Sequence, residues 1–159
     1  MFLLASAEAI VRCSREKTFA YAADLENFAE WFPGVLSVVS HDELPFAESG
    51  KLYLETVAVP LRGRRQVLIR VAEATPSRRL VTEGELPLLQ PRMEIEFLDA
   101  GPDACEVHWR MFSRNKRSLP RWTIFPIARR VMTMRARTAL RNLRWRLEDD
   151  AARGVTEKK

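Results

Sequence analysis

The last fifth of the chain most constrains what this protein folds into. Residues 120–150 contain no glycine and a single internal proline, Pro126. At about 100° per residue, Ala128, Met132, Ala136, Ala139, Leu140, Leu143 and Leu147 fall on one stripe, and Arg130, Arg137, Arg141 and Arg144 fall opposite. A helix of this kind must bury its apolar stripe against another layer. The spacing predicts a helix from about 120–123 to about 150, with Gly154 as a stop. One domain over 1–152 and a disordered tail over 153–159 are expected.

The partner layer is read from the rest of the chain. A first strand-like run ends near Cys13. Ser14 can cap a helix over 15–23, and Asp24 a second short helix over 25–32, where Phe28, Trp31 and Phe32 recur at helical spacing. Pro33 and Gly34 stop it. Six further strand-like runs come after, separated by turn residues. In the last two, Met93, Ile95 and Phe97 alternate with Glu94 and Glu96, and Cys105, Val107, Trp109 and Met111 with Glu106, His108 and Arg110. Period-2 alternation marks antiparallel strands wet on one face. The expected fold class is therefore α+β: a strongly curved antiparallel sheet wrapped around one long helix.

At 159 residues the chain suits one core. No run approaches the ~20 apolar residues of a membrane-spanning helix, and the short apolar start lacks a basic flank. The expected compartment is cytoplasmic. Two cysteines, Cys13 and Cys105, make no disulfide framework; a contact between them is left open. No metal ligation and no cofactor are expected. The net charge of +5 is unevenly spread: residues 114–146 hold eleven Lys/Arg and no Asp/Glu, leaving 15 basic against 21 acidic residues elsewhere. Such an element is either a well-solvated helix face or a contact for an anionic membrane surface or RNA.

The stretch from Cys13 to Val35, with Phe19, Asp24, Phe28 and the run Trp31–Gly34, resembles the N-terminal signature of the START-like, or SRPBCC, superfamily of polyketide cyclases/dehydrases and lipid carriers. The segment Val71–Leu80 is similar to that family's strand–turn–strand, and Phe97 through Val107 to its penultimate hairpin. The resemblance implies the helix-grip, Bet v 1-like fold: seven strands, two short helices after the first strand, and a long C-terminal helix. It implies that the first and last strands pair. It also implies an apolar cavity between sheet and helix, with ligands ranging from lipids and isoprenoids to polyketides.

No catalytic set stands out. There is no Gly-x-Ser-x-Gly, and His108 is expected to face outward near Glu94 or Glu96. The pairs Glu83/Glu85 and Glu94/Glu96 read as a solvated sheet face rather than an acid–base pair. The candidate ligand contacts are Met93, Ile95, Phe97, Trp109 and Val131 as walls, with Phe28, Trp31 and Phe32 toward the mouth. Arg135, at the edge of the apolar stripe, is either an anchor for a ligand carboxylate or phosphate or a snorkelling side chain paired with a sheet glutamate. Tyr53 is a second candidate for orienting a ligand. Ala128, Ala136 and Ala139 leave space that a ligand or a closely approaching strand would fill. The leading expectation is a non-catalytic binder of a hydrophobic small molecule. An aromatase/cyclase-type enzyme and an interaction module using the basic helix are the alternatives.

Overall fold

The elements arise from local chemistry in chain order. The computed structural model describes residues 1–116 and 125–156. Strand β1 (Phe2–Val11) leads to α1 (Arg15–Ala23), whose first turn is closed by the Ser14 hydroxyl accepting from the Lys17 N–H. Asp24 caps the next turn by accepting from the Glu26 N–H. The expected second helix is divided: Leu25–Asn27 is a 3-10 turn and α2 (Phe28–Trp31) a single α-helical turn. Strands β2 (Val35–Ser40), β3 (Leu52–Val59), β4 (Gly63–Thr75), β5 (Arg79–Gly84), β6 (Pro91–Asp99) and β7 (Cys105–Ser113) come next, then α3 (Phe125–Thr156).

All seven strands form one antiparallel sheet in the order β1-β7-β6-β5-β4-β3-β2. The first and last strands are neighbours, with Ala7 opposite Trp109 and Val11 opposite Cys105. Cys13 lies two residues beyond; both thiols are free and buried, and burial pushes Cys105 up to about 11.

Helix α3 is about 48 Å long at 1.5 Å per residue. Pro126 is the second residue of the described helix. The expected start at 120–123 lies outside the described residues. At the other end the helix passes Gly154 and reaches Thr156, so residues 153–156 are helical rather than tail. An Asp149–Arg153 pair at 2.7 Å, one turn apart, supports this extension, and Arg153 in the last turn favours the helix dipole.

Ala136, Ala139, Leu140, Leu143 and Leu147 are buried, while Met132 and Ala128 are half-buried; Arg130, Arg137, Arg141 and Arg144 are exposed. The helix packs chiefly on β1. Three residues of that strand that pack with the core, Ala5, Ala7 and Ala9, are also small, while Val11 completes the face. Alanine on both sides suits a close approach of helix and strand, and Ala136 and Ala139 are fully buried. Glu148, disfavoured by the helix dipole, is held by the Arg12 N–H at 3.0 Å and by Arg144 at 3.2 Å, which ties the helix to the end of β1.

The outer sheet face is an ion-pair lattice. Glu83, Glu94 and Glu96 are shared among Arg70, Arg79, Arg92, Arg110 and Arg114. Glu94 is buried beneath these guanidinium groups rather than solvated. Burial would raise the Glu83 carboxyl, but Arg92, Arg114 and Arg70 outweigh it and hold it low.

Candidate functional site

The inner face of the sheet, closed by α2 and α3, gathers most of the candidate residues. Phe28, Trp31, Phe32, Met93, Ile95, Phe97 and Trp109 are all buried in one core. Phe28 stacks on Phe32 at 4.8 Å between ring centroids, Phe32 meets Trp109 at 5.2 Å, and Phe97 meets Phe19 edge-on at 5.3 Å. Their spacing on one helical turn and on alternate strand positions brings them together. Val131 is only half-buried.

Arg135 is half-buried and does not pair with a sheet glutamate among the described residues. Its Nη2 donates to the Ala58 carbonyl at 3.0 Å, and its guanidinium lies against Gly34. Gly34 has φ +87°, which favours glycine, and a Cβ there would sit 2.4 Å from the guanidinium carbon, so a side chain at 34 would displace Arg135 from this position. Among the described residues Arg135 has no carboxylate partner, and burial lowers its pKa.

The inner face is not purely apolar. Glu55 on β3 is flanked at i±2 by Tyr53 and Val57 and pairs across strands with Val38 and Val67. Its residue exposure is 8%, and no hydrogen bond or ion pair reaches it among the described residues. Burial alone pushes its carboxyl from the ordinary value of 4.5 up to about 7. The indole Nε1 atoms of Trp31 and Trp109 are buried and have no acceptor among the described residues. The buried Tyr53 hydroxyl is near the Leu25 N–H without making a bond of good geometry, and burial pushes it up to about 12. Buried polar groups in native proteins are normally satisfied, and the two indole N–H groups and the Tyr53 hydroxyl share the inner face of the sheet with Glu55.

Glu55 is not among the residues that the sequence singles out. The signal is present: the Tyr53-Leu54-Glu55-Thr56-Val57 run puts a glutamate between two bulky residues of one face. It is weak because Leu52 and Leu54 make the other face equally apolar.

Two other expectations resolve differently. His108 does face outward and pairs with Glu96 in the strand register, but its ring bonds Glu106 at 2.8 Å and approaches Glu8 at 3.7 Å. The arginine lattice already occupies Glu94 and Glu96. Glu8, Glu106 and His108 place one donor atom each within 4.8 Å, at the surface. Separately, an open groove of about 640 Å³ lies between the start of β1 and the start of α3, and none of the expected ligand contacts lines it.

A curved seven-stranded antiparallel sheet, two short helical segments after its first strand and a long C-terminal helix are the architecture of the helix-grip fold. The family model for polyketide cyclase / dehydrase and lipid transport matches residues 4–148, and the chain belongs to that family. Solved structures agree on the fold. A START superfamily protein from Mycobacterium smegmatis superposes with a TM-score of 0.74 at 14% identity, covering 94% of this chain and 99% of that one. A protein from Thermus thermophilus gives 0.72 at 15% identity, covering 92% and 97%. The di-domain ARO/CYC StfQ from the steffimycin biosynthetic pathway gives 0.68 at 15% identity, covering 95% of this chain and 52% of that one. No curated protein sequence matches. Among the described residues no helix is long and apolar enough to cross a membrane.

Proposed function

We propose that this protein binds and carries an apolar small molecule bearing a hydrogen-bonding group, of lipid, isoprenoid or polyketide type. Glu55 carries the reading. An isolated buried carboxyl is destabilising unless a partner arrives, and a ligand hydroxyl or amine supplies one. Trp31 and Trp109 offer two N–H donors to a ligand oxygen. Arg135, at the Ala58 end of β3, lies three residues along the strand from Glu55, or about 10 Å.

The proposed site spans the inner face of the sheet from Glu55 on β3 to Trp109 on β7. Entry is beside α2, which α3 holds through Asn142 donating to the Trp31 carbonyl at 3.2 Å and Arg146 donating to the Glu30 carbonyl at 2.9 Å. Burial of the ligand's apolar surface supplies affinity at ~25 cal/mol per Å² before ordering costs.

Native mass spectrometry of the full chain, purified without detergent, tests this. The expected result is a co-purified apolar adduct, or uptake of added farnesol or palmitic acid, weakened in Glu55→Gln. An unliganded mass throughout, with no uptake of either probe, would overturn the reading.

The Glu55 carboxyl also favours a second reading. A pKa of about 7 suits general acid–base work, as an aromatase/cyclase-type reaction requires. Cyclisation of a poly-β-keto thioester that is abolished in Glu55→Gln would select this reading; product distribution unchanged from the uncatalysed reaction would exclude it.

A further inference from the structure

Helix α3 carries a second apolar row that the fold does not use. Ile127, Met134 and Trp145 are 59%, 65% and 69% exposed. Seven and eleven residues apart, they return to the same helical angle within about 20°, directly opposite the buried stripe. They span about 27 Å of helix. Residues 125–147 carry seven arginines and no acid. Of these, Arg129, Arg130, Arg137 and Arg141 make no ion pair among the described residues, although acidic partners hold Arg144 and Arg146.

The exposed row is continuous with the groove at the start of the helix. Met134 belongs to both, Arg130 lines the groove beside it, and Phe2, Leu4 and Phe125 make the groove wall apolar. The register of β1 shifts between Leu3 and Ala5, so Leu4 falls at an irregularity in the β1–β7 ladder.

We propose that the outward face of α3 docks the protein on an anionic phospholipid bilayer. Trp145, Met134 and Ile127 enter the boundary between headgroups and acyl chains, and the unpaired arginines meet lipid phosphates. A helix with a basic flank and a row of Trp and aliphatic side chains suits this interface. RNA would account for the arginines but not for three bulky apolar residues in line with them and an apolar groove beside them.

Flotation of the full chain with phosphatidylcholine vesicles, with and without about a third phosphatidylglycerol, tests the proposal. Binding is expected to the anionic vesicles only, and to fall in 0.5 M salt. Arg137→Gln and Arg141→Gln should each weaken it about fivefold, since one basic residue near an anionic surface contributes about a factor of five. The doubly substituted Met134→Ser/Trp145→Ser chain retains every charge and should lose binding. All four positions are exposed, so melting curves should remain unchanged. Failure to bind anionic vesicles would overturn the proposal. So would binding that the Met134→Ser/Trp145→Ser chain retains in full, or tight binding to an RNA homopolymer that displaces the vesicles. Ligand uptake measured by mass is read separately, so either conclusion can fail alone.

Discussion

At the scale of single residues, Glu55 separates what a sequence shows from what a fold creates. A glutamate in a strand is ordinary; one on the inner, core-facing side of the sheet with no described partner is an uncompensated buried acid. Its folded pKa of about 7 lies above the ordinary 4.5, so the folded chain binds more protons between those values and loses stability as pH rises through that window. Glu83 and Asp42, whose carboxyls are held low by arginines and by Lys51 respectively, act in the opposite sense at lower pH. Glu55→Gln should therefore raise the melting temperature clearly at pH 8, by up to about 3 kcal/mol of stability, and little at pH 5. Equal shifts at both pH values, read by calorimetry, would mean that the carboxyl is solvated. Arg135 gives the complementary lesson. Its place at the stripe edge was readable from helical angles, but its partner, a backbone carbonyl of β3, was not, because strand register brings Ala58 there.

At the scale of elements, periodicity was the dependable guide. The buried and exposed faces of α3 follow the 3.6-residue period, and β6 and β7 follow period 2. Helix α1 begins and ends where Ser14 and Asp24 cap and interrupt it. Two features were not readable. The helix runs past Gly154, because one glycine costs only about 1 kcal/mol in a helix that ion pairs extend. The alanines of α3 suit close approach to β1, a distinction that depends on which strand the helix meets. Ala139→Leu should accordingly destabilise the protein by about 1–3 kcal/mol through overpacking, measured by urea denaturation. Unchanged or improved stability would show spare volume at that contact. Leu143→Asp, which puts an unpaired charge into the same core, should prevent folding altogether.

At the scale of the whole molecule, the seven-stranded sheet, the short helices beside it and the long helix surround one hydrophobic core. The chain's family covers ligand carriage and polyketide cyclisation. The order of elements made that architecture legible from the chain alone, because few folds need a strand, two short helices, six strands and one amphipathic helix. The site was less legible: the aromatic residues were found, while the polar group that distinguishes this interior emerged only from burial. The central claim is that Glu55 waits, unpartnered and buried, for a ligand's polar end. Carbon-13 NMR titration of glutamate carboxyls, with Glu55→Gln to assign the signal, measures this directly in ligand-stripped protein before and after adding farnesol. The account predicts a Glu55 midpoint near 7 that moves when farnesol binds, while other glutamates stay unchanged. A Glu55 midpoint in the ordinary carboxylate range, indifferent to every apolar alcohol or acid offered, would contradict it.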